Sequence, residues 1–163
     1  MLPQINRTDK IMKIILMRHG EAEHQTQQDS ERHLTPLGVQ QAEATAEYIM
    51  ANYKPDMFVV SPYVRAQQTL QALTTLKPDV PVKVHSNITP DDDAMQALHG
   101  LMDVEGECVV VVCHMPIVAK MAGLLTADMP ESYHLAEARV FEASLIAPDM
   151  GDEVDRYVPE LSL

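Results

Sequence analysis

The segment Cys108–Cys113 reads Cys-Val-Val-Val-Val-Cys and constrains the fold more than any other stretch of the chain. Its β-branched residues favour extended backbone. An extended segment that is apolar on both alternating faces must be covered on both, the usual condition of a strand inside a parallel sheet. Three further apolar runs of strand length occur, over 11–17, Met57–Val60 and Val82–Val84, and helical patterns separate them. This β-α alternation predicts a three-layer α/β/α sandwich around a mostly parallel sheet. The end of the chain differs: the apolar stretches 138–146 and 153–158 flank the turn-rich Pro148-Asp149-Met150-Gly151-Asp152. They predict a terminal antiparallel hairpin, and hence a mixed sheet.

The helices carry their own start signals. Thr35-Pro36, Ser61-Pro62 and Thr89-Pro90 each read as a capping hydroxyl followed by proline at the first helical position, and Pro116 opens a fourth helix. The predicted inward stripes are Val39, Ala42, Ala46, Ile49, Met50 and Tyr53; then Val64, Leu70, Leu73 and Leu76; then Met95, Leu98, Leu101 and Met102; and last Ile117, Met121, Leu124 and Leu125. The methionines read as core filler. A length of 163 residues suits one domain, expected over 13–160 behind a short loose leader at 1–12.

Composition excludes several function classes. Net charge is −12, which argues against nucleic acid and anionic membrane surfaces as partners. No apolar run reaches the length of a membrane span, and the N-terminus lacks the apolar core of a signal peptide, so the expected location is cytoplasmic. Cys108 and Cys113, five residues apart on one strand, point to opposite faces and cannot bridge; both read as small buried hydrophobes. No close Cys or His pair has metal-ligand spacing, so no metal site is expected.

The chemistry gathers at strand ends. Parallel strands place their carboxyl termini along one edge, where ligands of open α/β sheets bind. The first strand breaks into Arg18-His19-Gly20, the second into Ser61-Pro62-Tyr63-Val64-Arg65, and the Val-rich strand into His114-Met115-Pro116. Two arginines and two histidines are therefore predicted to meet at one rim. Guanidinium forks match phosphate oxygens, a histidine can act as nucleophile or base, and glycine lets the backbone approach a ligand. With Arg65 in the first turn of one helix and His114 just before another, free backbone N–H groups point into the same region, and the simplest occupant is phosphate. No GxxxxGK[ST] loop is present, which sets the chain apart from P-loop nucleotide-binding proteins.

Three motifs in this order resemble a known family. Met17-Arg18-His19-Gly20-Glu21-Ala22-Glu23 resembles the Arg-His-Gly signature of the histidine phosphatase superfamily, which has the phosphoglycerate mutase-like fold. The run Ser61-Pro62-Tyr63-Val64-Arg65-Ala66-Gln67-Gln68-Thr69 is similar to its second arginine motif, and Cys113-His114 to its second histidine. The resemblance extends over 13–158. The compact length, Leu34-Thr35-Pro36-Leu37-Gly38 and Ile88-Thr89-Pro90 resemble the small SixA-type branch of protein phosphohistidine phosphatases.

The resemblance implies that His19 is the nucleophile, becoming a phosphohistidine that water then hydrolyses. It casts Arg18 and Arg65 as clamps on the equatorial phosphate oxygens and His114 as a further donor, with Gly20 in the substrate site. It implies no metal or organic cofactor, because the arginines supply the charge a magnesium ion supplies elsewhere. The nearby guanidinium charges disfavour a protonated His19 and keep its lone pair available.

The implied general acid is where the chain departs from the superfamily. Many members place a carboxylate after the third strand, whereas this chain has Asp91-Asp92-Asp93, which read as the acidic first turn of a helix capped by Thr89. Glu21 and Glu23 are the other candidates and read as exposed loop carboxylates. A missing acid matters little for a labile N–P bond and much for an alkyl phosphate, whose leaving alkoxide needs a proton. No insertion between His19 and Thr35 is long enough to fold as a lid, which suits a phosphate carried on another protein. The expected substrate is a histidine-phosphorylated phosphorelay or phosphotransferase protein. The alternatives are a small-molecule phosphomonoesterase or mutase of the same superfamily, and a non-catalytic phosphoprotein-binding module. His24 and His33 read as solvated loop residues, and Arg32 lies within possible reach of the anion.

Overall fold

The computed structural model describes residues 11–24 and 28–160; most of the expected leader lies outside them. The chain runs β1 (Met12–Arg18), a single 3₁₀ turn (Asp29–Glu31), α1 (Pro36–Asn52), β2 (Met57–Val60), α2 (Val64–Leu76), β3 (Val82–Val84), α3 (Ala94–Leu101), β4 (Cys108–Cys113), α4 (Ile117–Thr126), β5 (Ala138–Ala143) and β6 (Gly151–Tyr157). The six strands form one sheet in the order β3-β2-β4-β1-β5-β6. β1 to β4 are parallel; β5 runs antiparallel to β1, and β6 antiparallel to β5, so the sheet is mixed as the terminal hairpin predicts.

The pleat sorts side chains between two cores. Ile14, Leu16, Val109, Val111 and Cys113 pack beneath α3 and α4. Ile15, Met17, Cys108, Val110 and Val112 face α1 and α2. All six residues of β4 are buried, and its two cysteines are free and lie in opposite cores. β3, at the sheet edge, is exposed throughout. Among the described residues no helix is long and apolar enough to cross a membrane.

Helix starts and stripes depart from the sequence reading in instructive ways. Thr35 caps α1 by accepting from the Gly38 amide at 3.0 Å, as expected. Ser61 and Thr89 do not cap. α2 begins at Val64, and α3 at Ala94, where the Asp93 carboxylate accepts from the Gln96 amide. In α1 the inward face carries Gln41 and Thr45, while Val39 is exposed. Both polar side chains are buried because they satisfy loop backbone: Gln41 Oε1 accepts from the Glu21 amide at 2.8 Å, and Thr45 Oγ1 donates to the Ala136 carbonyl at 2.7 Å. Leu76, Met95 and Met102 also lie on exposed surface, since α2 and α3 are each covered along one stripe only.

The register aligns the strand ends that matter. Arg18 pairs with Cys113, and Val60 with Val112. The ladder continues one step further: the His19 amide donates to the Cys113 carbonyl and the Ser61 amide to the Val112 carbonyl. The tips of β1, β4 and β2, three adjacent central strands, therefore share one edge.

Candidate active site

His19 is buried at the tip of β1, and its two ring nitrogens have distinct partners. Nδ1 lies 2.6 Å from the Gly20 carbonyl oxygen, an acceptor only, so Nδ1 carries the proton. The lone pair is left on Nε2, which accepts from Nε of Arg65 at 3.2 Å. Gly20 is required by contact. A Cβ there would meet the Gly38 carbonyl oxygen at 2.4 Å, and one at Gly38 would meet the Glu21 oxygen at 2.0 Å. The first turn of α1 thus locks against the loop leaving β1. The Gly20 amide also donates to Thr69 Oγ1 at 3.1 Å, tying this loop to α2.

Arg65 enters from the first turn of α2 and is buried. Besides donating to His19, its Nη1 donates to the Asp29 carbonyl at 2.7 Å and its Nη2 to Asp29 Oδ2 at 3.1 Å. Arg18 reaches the site from the last residue of β1. Its Nη1 donates to the Tyr133 carbonyl at 2.8 Å, and its Nε is buried with no hydrogen-bond partner among the described residues.

His114 is fully buried just past β4, before a cis Met115–Pro116 peptide and α4. Its Nε2 is 2.7 Å from Ser61 Oγ, and its Nδ1 has no partner among the described residues. With the Ser61 hydroxyl donating to Nε2, Nδ1–H becomes a free donor. The His19 and His114 rings meet edge to face at 5.3 Å between centroids. The four residues expected to converge are thus joined through direct contacts or shared charge, and two buried donors, Arg18 Nε and His114 Nδ1, are unmatched. Each would be open to an oxyanion that reached it.

Burial dominates the electrostatics. It pushes the His19 pKa from 6.5 down to about 3, reinforced by the charges of Arg65, Arg18 and Arg32 against the opposing Gly20 hydrogen bond. His114 falls to about 2, again chiefly by burial and then through His19 and Arg65. Burial and the adjacent Arg65 also lower Arg18, with Glu137 opposing. The site is a cationic cluster around two neutral imidazoles.

A second polar cluster supports Arg18 from behind. Arg139 and Glu137 form a buried ion pair at 2.6 Å. Arg139 donates through Nη1 and Nη2 to the carbonyls of Glu131 and Ser132, and its guanidinium stacks 3.8 Å from the Tyr133 ring centroid. The Ala136 amide donates to the His19 carbonyl and the Arg18 amide to the Glu137 carbonyl, so this loop holds the signature from one side.

Of the candidate acids, Asp92, Asp93 and Glu21 have other engagements, and Glu23 is exposed. Asp92 accepts from the Thr89 amide and hydroxyl, and Asp93 caps α3, so the aspartates precede the helix instead of filling its first turn. Asp91 lines a groove between α3 and α4 with Lys120 and Asp128. Glu21 accepts from the Thr35 hydroxyl at 2.7 Å. Of the remaining candidates, His33 contacts Gln68, His24 is exposed, and Arg32 donates to Asp29 and to the Glu23 carbonyl. Asp29, Ser61 as partner of His114, and the Arg139–Glu137 pair escape sequence reasoning. Asp29 and Ser61 meet their partners across long separations, the Arg139–Glu137 pair is local, and Ser61 alone lies within a recognisable motif.

The chain has counterparts among known proteins in sequence and in fold. The model of the histidine phosphatase superfamily (branch 1) matches residues 14–89, which include Arg18, His19, Gly20 and Arg65. The chain is 32% identical over 126 residues to the phosphohistidine phosphatase SixA homolog of Haemophilus influenzae, a match covering 70% of this chain and 77% of that protein. It is 29% identical over 123 residues to phosphohistidine phosphatase SixA of Escherichia coli, covering 72% and 74% respectively. The solved structure of the protein histidine phosphatase SixA complexed with tungstate superposes with a TM-score of 0.79 at 23% identity, over 91% of this chain and 97% of that one, a likeness of fold.

Proposed function

The chain belongs to the histidine phosphatase superfamily, in its small SixA-type branch, and from that premise we propose that it removes phosphate from a phosphohistidine on another protein through a covalent intermediate on His19. The observation that carries this reading is the state of His19. Its Nδ1–H is committed to Gly20, and its lone pair sits on Nε2 beside a guanidinium.

In the first step Nε2 attacks phosphorus in line. The bond to the substrate's imidazole nitrogen breaks as the new N–P bond forms, and that imidazole, protonated on its other ring nitrogen, leaves as a neutral ring with the electron pair. As the Nε2 lone pair goes to phosphorus, the hydrogen bond donated by Arg65 Nε–H shifts from Nε2 to an equatorial oxygen. Arg18 Nε and His114 Nδ1 supply further donors to the same oxygens, where the transition-state charge is spread. The Gly20 carbonyl stabilises the positive charge that His19 gains on phosphorylation. In the second step water attacks the phosphohistidine, the N–P bond breaks, and orthophosphate departs while His19 regains its lone pair. The arginines carry the compensating charge throughout, with no role required of a cofactor.

An imidazole leaving group needs far less protonation than an alkoxide. The engagement of Asp92, Asp93 and Glu21 in caps and turns supports a phosphohistidine over a phosphate ester. A cytoplasmic phosphorelay or phosphotransferase protein is the partner class that carries such a group. The test is release of orthophosphate from a phosphorylated histidine phosphotransfer domain, compared with release from sugar phosphates and phosphoglycerate. Turnover by the wild type, its loss in His19→Ala and an acid-labile phosphoenzyme are expected. Full activity in His19→Ala overturns the mechanism; activity on the small phosphates alone moves the enzyme to phosphomonoester or mutase chemistry.

A further inference from the structure

Asp29 presents a carboxylate to Arg65, the residue assigned to clamp a phosphate dianion. Charge alone would make it unfavourable there, so its place calls for another reason. Its bonds supply one. Arg65 uses Nη1 on the Asp29 carbonyl and Nη2 on Asp29 Oδ2, while Nε points at His19. A guanidinium is planar and rigid, so holding both outer nitrogens fixes the direction of the third.

Asp29 is itself held. Its Oδ1 accepts from Arg32 Nη1 at 2.9 Å, and Arg32 Nε donates to the Glu23 carbonyl. The Glu23 amide in turn donates to the His33 carbonyl, and Ala22 bridges Leu34. Each carboxylate oxygen thus takes one arginine, and the chain of contacts ends on the loop that leaves Gly20.

We infer that Asp29 is a positioning residue for phosphoryl transfer, holding the guanidinium of Arg65 beside the reacting nitrogen of His19. This rests on the reading of Arg65 as the phosphate clamp. Partial burial would raise the Asp29 pKa, but the hydrogen bonds from Arg32 and Arg65 reverse that and hold the carboxyl below its ordinary value, so it stays ionised and serves as no proton donor. The Asp29 side chain is 55% exposed and lies outside both hydrophobic clusters, so its removal leaves the core intact.

A positioning role predicts a split between turnover and anion affinity. Asp29→Ala frees Arg65 to wander yet removes a repulsive charge. It is expected to lower kcat on a phosphorylated histidine phosphotransfer domain about tenfold and to leave the inhibition constant of orthophosphate within about twofold. In an Arg65→Ala background the same substitution is expected to change kcat less than about twofold, because its effect passes through Arg65. Thermal midpoints of all variants are compared alongside. A kcat within twofold of wild type overturns the inference. So does a loss that simply adds to that of Arg65→Ala, or one that follows a falling thermal midpoint. If Arg65→Ala alone leaves turnover intact, the clamp reading fails instead, and the orthophosphate inhibition constants identify that separately.

Discussion

Nε of Arg65 donates to Nε2 of His19 at 3.2 Å, so the lone pair that would attack phosphorus already faces the group that would stabilise the product oxygens. Position matters here beyond charge. Arg65→Lys keeps the charge but has neither the fork nor the Nε–H. We expect kcat/KM on a phosphohistidine protein to fall roughly 100-fold, in the range of losing one oriented transition-state donor. A fall below threefold would show that a point charge is sufficient.

Both histidines are neutral by burial, and this has a pH signature. Their pKa values in the folded protein, about 3 for His19 and about 2 for His114, lie below the ordinary 6.5. Below 6.5 the unfolded chain takes up protons that the folded one refuses. Stability from these groups is therefore complete above about pH 6.5 and declines as pH falls toward 3. Urea midpoints measured from pH 7 to 4 will fall in the wild type and fall less in His114→Gln. The ring nitrogens of His19, followed by NMR, will keep a neutral signature through about pH 5; titration near 6.5 would contradict the buried environment.

Gly38 lies outside the phosphate site but abuts its loop. A Cβ at this position would meet the Glu21 carbonyl oxygen at 2.0 Å, which is backbone and cannot rotate aside. Gly38→Ala is expected to cost about 2 kcal/mol of stability, typical of overpacking. It will also lower kcat, because the displaced segment adjoins His19-Gly20. Denaturant unfolding and single-turnover kinetics on the same preparation measure the two effects.

Glu137→Ala leaves the buried Arg139 guanidinium without its carboxylate. Breaking one side of a buried pair costs about 3–5 kcal/mol. Removing both partners, as in Glu137→Gln with Arg139→Met, is expected to cost less, because no buried charge is stranded. Because this pair braces the loop whose Tyr133 carbonyl receives Arg18, both variants will also weaken orthophosphate binding. Chemical denaturation and orthophosphate titration test these outcomes; a double variant costlier than Glu137→Ala would contradict the account.

Much of the fold is legible because its signals are local. The valines of β4 demand cover on both faces, β2 and β4 begin and end where their apolar runs do, and Thr35-Pro36 starts α1 as a capping hydroxyl and proline predict. Ser61-Pro62 and Thr89-Pro90 carry the same dipeptide signal without capping. Ser61 Oγ is 2.7 Å from His114, and Thr89 bonds Asp92, so tertiary and turn contacts outcompete the cap. The inward stripe of α1 shifts for a related reason: Gln41 and Thr45 are buried to satisfy loop backbone, which a hydrophobic pattern cannot register.

The same division runs through the site. Which residues meet is legible in the chain alone, because parallel strands deliver Arg18-His19-Gly20, Arg65 and His114 to one edge whatever the details of packing. How they are held emerges from packing: which nitrogen of His19 keeps its lone pair, that Ser61 contacts His114, and that Asp29 and the Arg139–Glu137 pair brace the two arginines. The positions of the strands follow from hydrophobic patterning, which is written along the chain. The direction of a hydrogen bond depends on ångström-scale placement of groups tens of residues apart, and that placement exists only once both cores have closed around the sheet.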